Sequence, residues 1–158
     1  TMKKDWKTYG LWILGTEAVG ALSGFVTKDA QKAFNETARQ PPLSPPAIVF
    51  PIVWGLLYAL MGVSAARVDL SPASARRQNA LHLYWIQLVI NFFWSLIFFN
   101  AQAYGFATIW LALLWAMVVW MTLLFYRVDK AAGLLQIPYL LWLTFAMYLC
   151  TGVWLLNR

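Results

Sequence analysis

The sequence predicts an all-α integral membrane protein, a single five-transmembrane-helix bundle over residues 1–158, on three observations. Hydrophobic residues make up 61% of the chain and charged ones only 11%, with a mean hydropathy of +0.61. A soluble fold of this size would lack the polar side chains to cover its surface. Five apolar stretches, near 9–26, 47–66, 80–101, 106–126 and 133–156, are each about long enough to cross the hydrocarbon core as a helix, which takes roughly 20 residues. Their apolar character is continuous instead of alternating, which argues against the strands of a membrane barrel.

The first stretch lacks the short core and small-residue cleavage site of a signal peptide, so it is expected to stay as a helix. Its connection to the second, Thr27 to Pro46, is the longest, and long loops tend to carry function. The first half, Asp29 to Arg39, has the composition of a short surface helix. The second half holds Pro41, Pro42, Pro45 and Pro46, which remove donors and keep the backbone extended, as a stiff flap over one end of the bundle. Gln102 to Gly105 and Arg127 to Ala132 are short enough for tight turns. Pro51 and Pro138 fall inside the second and fifth stretches. The lone Cys150 has no partner for an intrachain disulfide and reads as a small packing residue.

A net charge of +6 would suggest nucleic acid in a soluble protein, but here the cations gather at helix ends and no nucleic-acid partner is expected. Lys3, Lys4, Lys7, Arg67, Arg76, Arg77, Arg127 and Lys130 share one side, and Lys28, Lys32, Arg39 and Arg158 the other. The positive-inside rule then gives a cytoplasmic N-terminus in a bacterial cell membrane.

Three helices carry stripes that should not meet lipid. On the third, Tyr84, Gln87, Asn91, Trp94 and Phe98 recur at spacings of three and four, and Ser95 adjoins them. Pro51, Trp54, Tyr58, Met61 and Ala65 form a stripe on the second; Tyr139, Trp142, Ala146 and Leu149 form one on the fifth, with Phe145 beside it. At about 1.5 Å per residue, Trp54 and Trp94 lie roughly 10 Å below the flap and Asn91 and Ala146 roughly 15 Å. Aromatic walls, a few amides and one small residue describe a pocket for a flat apolar ligand beneath Pro45 and Pro46. Trp6, Trp12, Trp85 and Trp154, near helix ends, are assigned to the interfacial belt.

These residues resemble a known family. Pro41 to Ala66, Gln87 to Phe99 and Ile137 to Ala146 are similar, in order, to three blocks of the translocator protein or tryptophan-rich sensory protein family, TspO/MBR. The resemblance implies a five-helix bundle, often dimeric, that binds porphyrins such as protoporphyrin IX and haem, sterols, and synthetic isoquinolines. It requires no cofactor or metal, and Trp54, Asn91, Trp94, Trp142 and Ala146 match positions lining the family's pocket. It also allows light- and oxygen-dependent porphyrin degradation, with Trp54 and Trp142 as electron donors. Two positions depart from the family: Leu43 stands where the flap usually has Trp, and Cys150 where the fifth helix usually has Asn.

A ligand-binding sensor or translocator is the favoured function, with a porphyrin-degrading enzyme and a proton-coupled transporter centred on Glu17 as alternatives. Glu17 falls near the middle of the first stretch, where an ionisable group is costly, and is expected to bond a helix carbonyl or an amide such as Asn91. His82, at the opposite end from the pocket mouth, reads as an interfacial residue and not an iron ligand. Leu124-Phe-Tyr126 with Lys130 fits a weak cholesterol pattern. For a homodimer, the third helix offers Leu83, Ile90, Phe93 and Ile97, and Gly20-x-x-x-Gly24 offers a rival seam.

Overall fold

The computed structural model describes residues 2–158, with side chains from Asp5 onward; Thr1 and the side chains of Lys3 and Lys4 lie outside the described residues. The helices are α1 Met2–Thr37, α2 Val49–Asp69, α3 Ala75–Ser95, α4 Tyr104–Val128, α5 Lys130–Leu135 and α6 Ile137–Asn157. Among the described residues, five helical runs are long and apolar enough to cross a membrane, with α5 and α6 forming one of them, Lys130–Asn157. The protein is therefore a multi-pass integral membrane protein with an all-α fold.

The expected break at Thr27 does not occur. No Gly or Pro stands between Gly24 and Pro41, so nothing stops the helix where its apolar character fades. The Thr27 hydroxyl turns back to donate to the Ser23 carbonyl at 2.7 Å, and Gln31 Nε2 donates to Thr27 Oγ1 at 2.7 Å. The segment read as a separate surface helix thus continues α1, which reaches about 54 Å against about 30 Å of hydrocarbon. Phe34 anchors the extension against Phe98 at 5.2 Å and Phe99 at 5.4 Å between ring centroids. Adjacent residues meet one partner because α3 ends in a π-helical turn, Leu96–Asn100, whose wider winding turns both rings to the same side.

Neither proline breaks a helix. Pro51 is the third residue of α2 and Pro138 the second of α6, positions whose N–H groups have no partner within a helix anyway. Between α4 and α5 only Asp129 is non-helical: its carboxylate caps α5 at Ala132 N, 3.1 Å, and pairs with Arg67 Nε at 2.6 Å. Ser64 Oγ donates to the Ala132 carbonyl at 2.7 Å and accepts from Gln136 Nε2 at 3.0 Å. This end of the bundle, where α1 begins, is therefore stitched shut. Trp12 belongs to that closure and not to a belt of free indoles: it donates to Asp69 Oδ2 at 3.0 Å and packs on Tyr84 and Trp85. Trp6, Trp85 and Trp154 are exposed.

Two glycines set the spacing of α1 and α2. A Cβ on Gly62 would lie 2.6 Å from Ile13 Cα, and one on Gly20 would lie 2.3 Å from the Tyr58 ring. Gly20 thus serves a contact within the chain, whereas Gly24, the other half of Gly20-x-x-x-Gly24, is exposed. On α3, Leu83 is in the core, Ile90 and Ile97 are half-buried against it, and Phe93 is exposed beside Val89 and Ile86.

Because the obstacle at Gly62 is backbone, which cannot swing aside, Gly62→Ala should destabilise the protein by about 1–3 kcal/mol. Gly24→Ala, whose Cβ would meet nothing within 4 Å, should change stability little. Reversible unfolding in detergent checks the pair.

Candidate ligand-binding site

At the flap end the helices separate around a cavity of about 850 Å³, bounded by α1, α2, α3, α6 and the flap. Its floor is polar. The Tyr139 hydroxyl of α6 accepts from Asn91 Nδ2 at 2.7 Å and donates to Gln87 Oε1 at 2.8 Å; Gln87 Nε2 in turn donates to the Tyr84 carbonyl at 3.0 Å. Tyr58 of α2 reaches Asn91 Oδ1 in a long contact of 3.5 Å, and Tyr84 bonds Thr16 of α1. Both carboxamides are thereby engaged within the bundle.

The walls are aromatic. Trp54 stacks on Tyr58 at 5.4 Å and meets Trp142 edge-on at 6.4 Å and 90°. Trp94 stacks on Phe98 at 4.9 Å. Ala146 and Leu149 continue the α6 wall, with Cys150 beside them, its sulfur 3.3 Å from Thr108 Oγ1. The indole N–H of Trp142 is buried and donates to nothing among the described residues.

The flap is pinned to α6. Arg39 N donates to Asn157 Oδ1 at 3.0 Å, Asn157 Nδ2 to the Arg39 carbonyl at 2.7 Å, and the Tyr148 hydroxyl to the Pro42 carbonyl at 2.6 Å. Pro41 lies against Gly152 so closely that a Cβ there would be 2.5 Å from the ring. Ser44 N closes a turn onto the Pro41 carbonyl at 3.3 Å, with Leu43 at its third position and φ 72°, where Gly or Asn is usual. The Leu43 side chain is 81% exposed and covers nothing.

Of the residues singled out in the sequence, Trp54, Tyr58, Asn91, Trp94, Ser95, Phe98, Trp142, Ala146 and Leu149 stand together on the cavity wall. Pro45, Pro46 and Phe145 do not. The turn presents Ser44 and Ala47 inward instead of the two prolines, and Phe145 lies between Trp142 and Tyr148, one helical step off the inward face. Glu17 is on the wall without a hydrogen bond or ion pair among the described residues, and Asn91 is occupied by the tyrosines, so the expected pairing is absent. His82 is exposed at the opposite end.

Sequence reasoning missed the α1 wall. Glu17, Gly20, Ala21, Gly24, Lys28, Gln31 and Asn35 line it at helical spacing, a face that could have been read as one stripe but for the supposed break at Thr27.

A family model described as TspO/MBR family matches residues 12–155, nearly the whole chain. The chain belongs to the TspO/MBR family. Among its relatives, the tryptophan-rich protein TspO of Chlorobaculum tepidum is 35% identical over 99% of each chain. Protein CrtK of Rhodobacter capsulatus is 36% identical over 79% of each, and the translocator protein of Bos taurus 29% identical over 93% of this chain and 92% of its own. In this member of the family the α2, α3 and α6 wall falls within the matched residues.

If the Tyr139 hydroxyl joins the helices at the floor, Tyr139→Phe strands two buried amide groups and should cost about 1–2 kcal/mol. Tyr58→Phe removes only the 3.5 Å contact and should cost less. Unfolding of both variants under the same conditions checks the ranking.

Proposed function

We propose that this membrane protein is a sensor or translocator that binds porphyrins, protoporphyrin IX and haem among them, and related flat hydrophobic ligands in the cavity under the flap. The observation that carries the reading is the joint presence of Trp54, Trp94 and Trp142 around one void over the Asn91 floor. Its volume falls in the range of about 300–1,000 Å³ typical of small-molecule sites. Flat faces set at steep angles grip a planar ring from its face and its edge together. Lys28 and Lys32, which share the lining with Glu17 and Glu36, offer cations to ligands bearing carboxylates. Haem would be held by its ring, since the chain's one histidine is far from the wall.

The reading extends to a cytoplasmic N-terminus in a bacterial cell membrane, supported by Lys7, Arg67, Arg76, Arg77, Arg127 and Lys130 at that end of the bundle. It extends also to a homodimer, for which α3 leaves Ile86, Val89 and Phe93 uncovered. A second reading, photo-oxidative porphyrin degradation, is favoured by the aromatic path from Trp142 through Trp54 to Tyr58 and Tyr139, with steps of 6.4, 5.4 and 6.2 Å. An excited porphyrin would take an electron from an indole, with oxygen as the final oxidant.

Protoporphyrin should quench tryptophan emission saturably. Trp54→Leu and Trp142→Leu should each weaken binding by about 0.5–1.5 kcal/mol beyond lost area. Unchanged affinity in both folded variants would place the ligand elsewhere. Loss of porphyrin absorbance only under light and oxygen supports the second reading, and multiple turnovers in darkness contradict it.

A further inference from the structure

We propose that the ligand loads sideways from the bilayer, through a slot between α1 and α2 bounded by Gly24 and Gly55, and that the flap is not its route. This rests on the ligand reading above and narrows it to amphipathic rings that partition into the leaflet on the flap side.

The two helices run antiparallel and touch at two successive levels, Ile13 against Gly62 and Gly20 against Tyr58. One turn further toward the flap come Gly24 on α1 and Gly55 on α2. Gly24 and Gly55 both line the cavity, yet a Cβ on either would meet nothing within 4 Å. Ala21 and Gly24 are exposed although they belong to the cavity wall, and so is Pro51 across the gap. Open space beside a glycine on each of two facing helices marks a gap in the wall. The rims of the hole face lipid, because Leu22 and Phe25 on α1 and Ile52 and Leu56 on α2 are all more than half exposed. Gly55 lies about 9 Å into α2, the depth of acyl chains and not of bulk water.

The alternative path is obstructed by the flap's three hydrogen bonds to α6 and the contact of Pro41 with Gly152. Above the slot the same α1 face continues into Lys28, Gln31 and Lys32. A ring carrying carboxylates can therefore slide between the helices while its charged groups stay at headgroup level. Dragging those charges through hydrocarbon would be costly. Glycine at both edges is what keeps the slot wide.

Gly24→Leu and Gly55→Leu fill open space and should fold. In lipid vesicles, stopped-flow quenching by protoporphyrin should show association and dissociation both slowed roughly tenfold, as narrowing a route requires. Tyr148→Phe, which frees Pro42 of the flap from α6, should leave both rates unchanged. Unaltered rates in the leucine variants, or faster loading in Tyr148→Phe, overturn the proposal. A ligand-independent measurement stands beside it. In a Cys150→Ala background, Gly55→Cys should react with N-pyrenylmaleimide delivered in the bilayer and resist a charged methanethiosulfonate; the reverse pattern also overturns the slot. Absence of saturable quenching in the unsubstituted protein would instead end the porphyrin reading, with the slot then judged on the labelling alone.

Discussion

The hydroxyl of Tyr139 is the constraint on which the rest of the bundle depends. Lipid offers no partner to a buried amide, so Gln87 and Asn91 on α3 must be satisfied by another helix. Tyr139 satisfies both, one as acceptor and one as donor, and this fixes the rotation of α6 against α3. The rotation determines which α6 residues face inward. With Tyr139 at the floor, Trp142, Ala146 and Leu149 rise one above another on the wall, and Phe145 is turned away. The polar floor and the aromatic walls are consequences of one bond pattern.

The bundle is closed at one end and open at the other for reasons visible in side-chain size. Toward the N-terminal end, Gly62 lets α1 and α2 approach backbone to backbone, and Ser64, Gln136, Arg67 and Asp129 join α2 to the α5–α6 run. Toward the flap, α1 continues past the hydrocarbon and is held by Phe34 against the π-helical end of α3, not by α2. α1 is thus tied to α2 at one end and to the end of α3 at the other, which leaves space beside Gly24 and Gly55. Net burial is a weak driving force between helices in lipid, so such a void costs less than it would in a water-soluble core.

The five spans were legible because apolar length has only one physical outlet, a membrane. The α2, α3 and α6 walls were legible because large aromatics and amides at spacings of three and four leave a periodic trace. The α1 wall left a fainter one. Gly20, Ala21 and Gly24 contribute by what they lack, and a G-x-x-x-G pair reads the same whether its partner lies in this chain or another. The helix end at Thr27 was misread because the apolar run ends there, whereas a helix ends at a breaker, and the next one is Pro41. The direction of Pro45 and Pro46 was not legible, since a loop has no period, and the π-helical turn has no composition that announces it.

Photocrosslinking is the most direct measurement of where the ligand sits. A porphyrin bearing a diazirine, irradiated with the protein in lipid vesicles and mapped by mass spectrometry, should label α1 between 20 and 32, α2 between 50 and 58 and α6 between 142 and 149. Excess unmodified protoporphyrin should abolish that labelling. Labels confined to the lipid-facing rows of α3 and α4, around Phe93 and Leu113, and insensitive to competitor would contradict a ligand held above the Tyr139 floor.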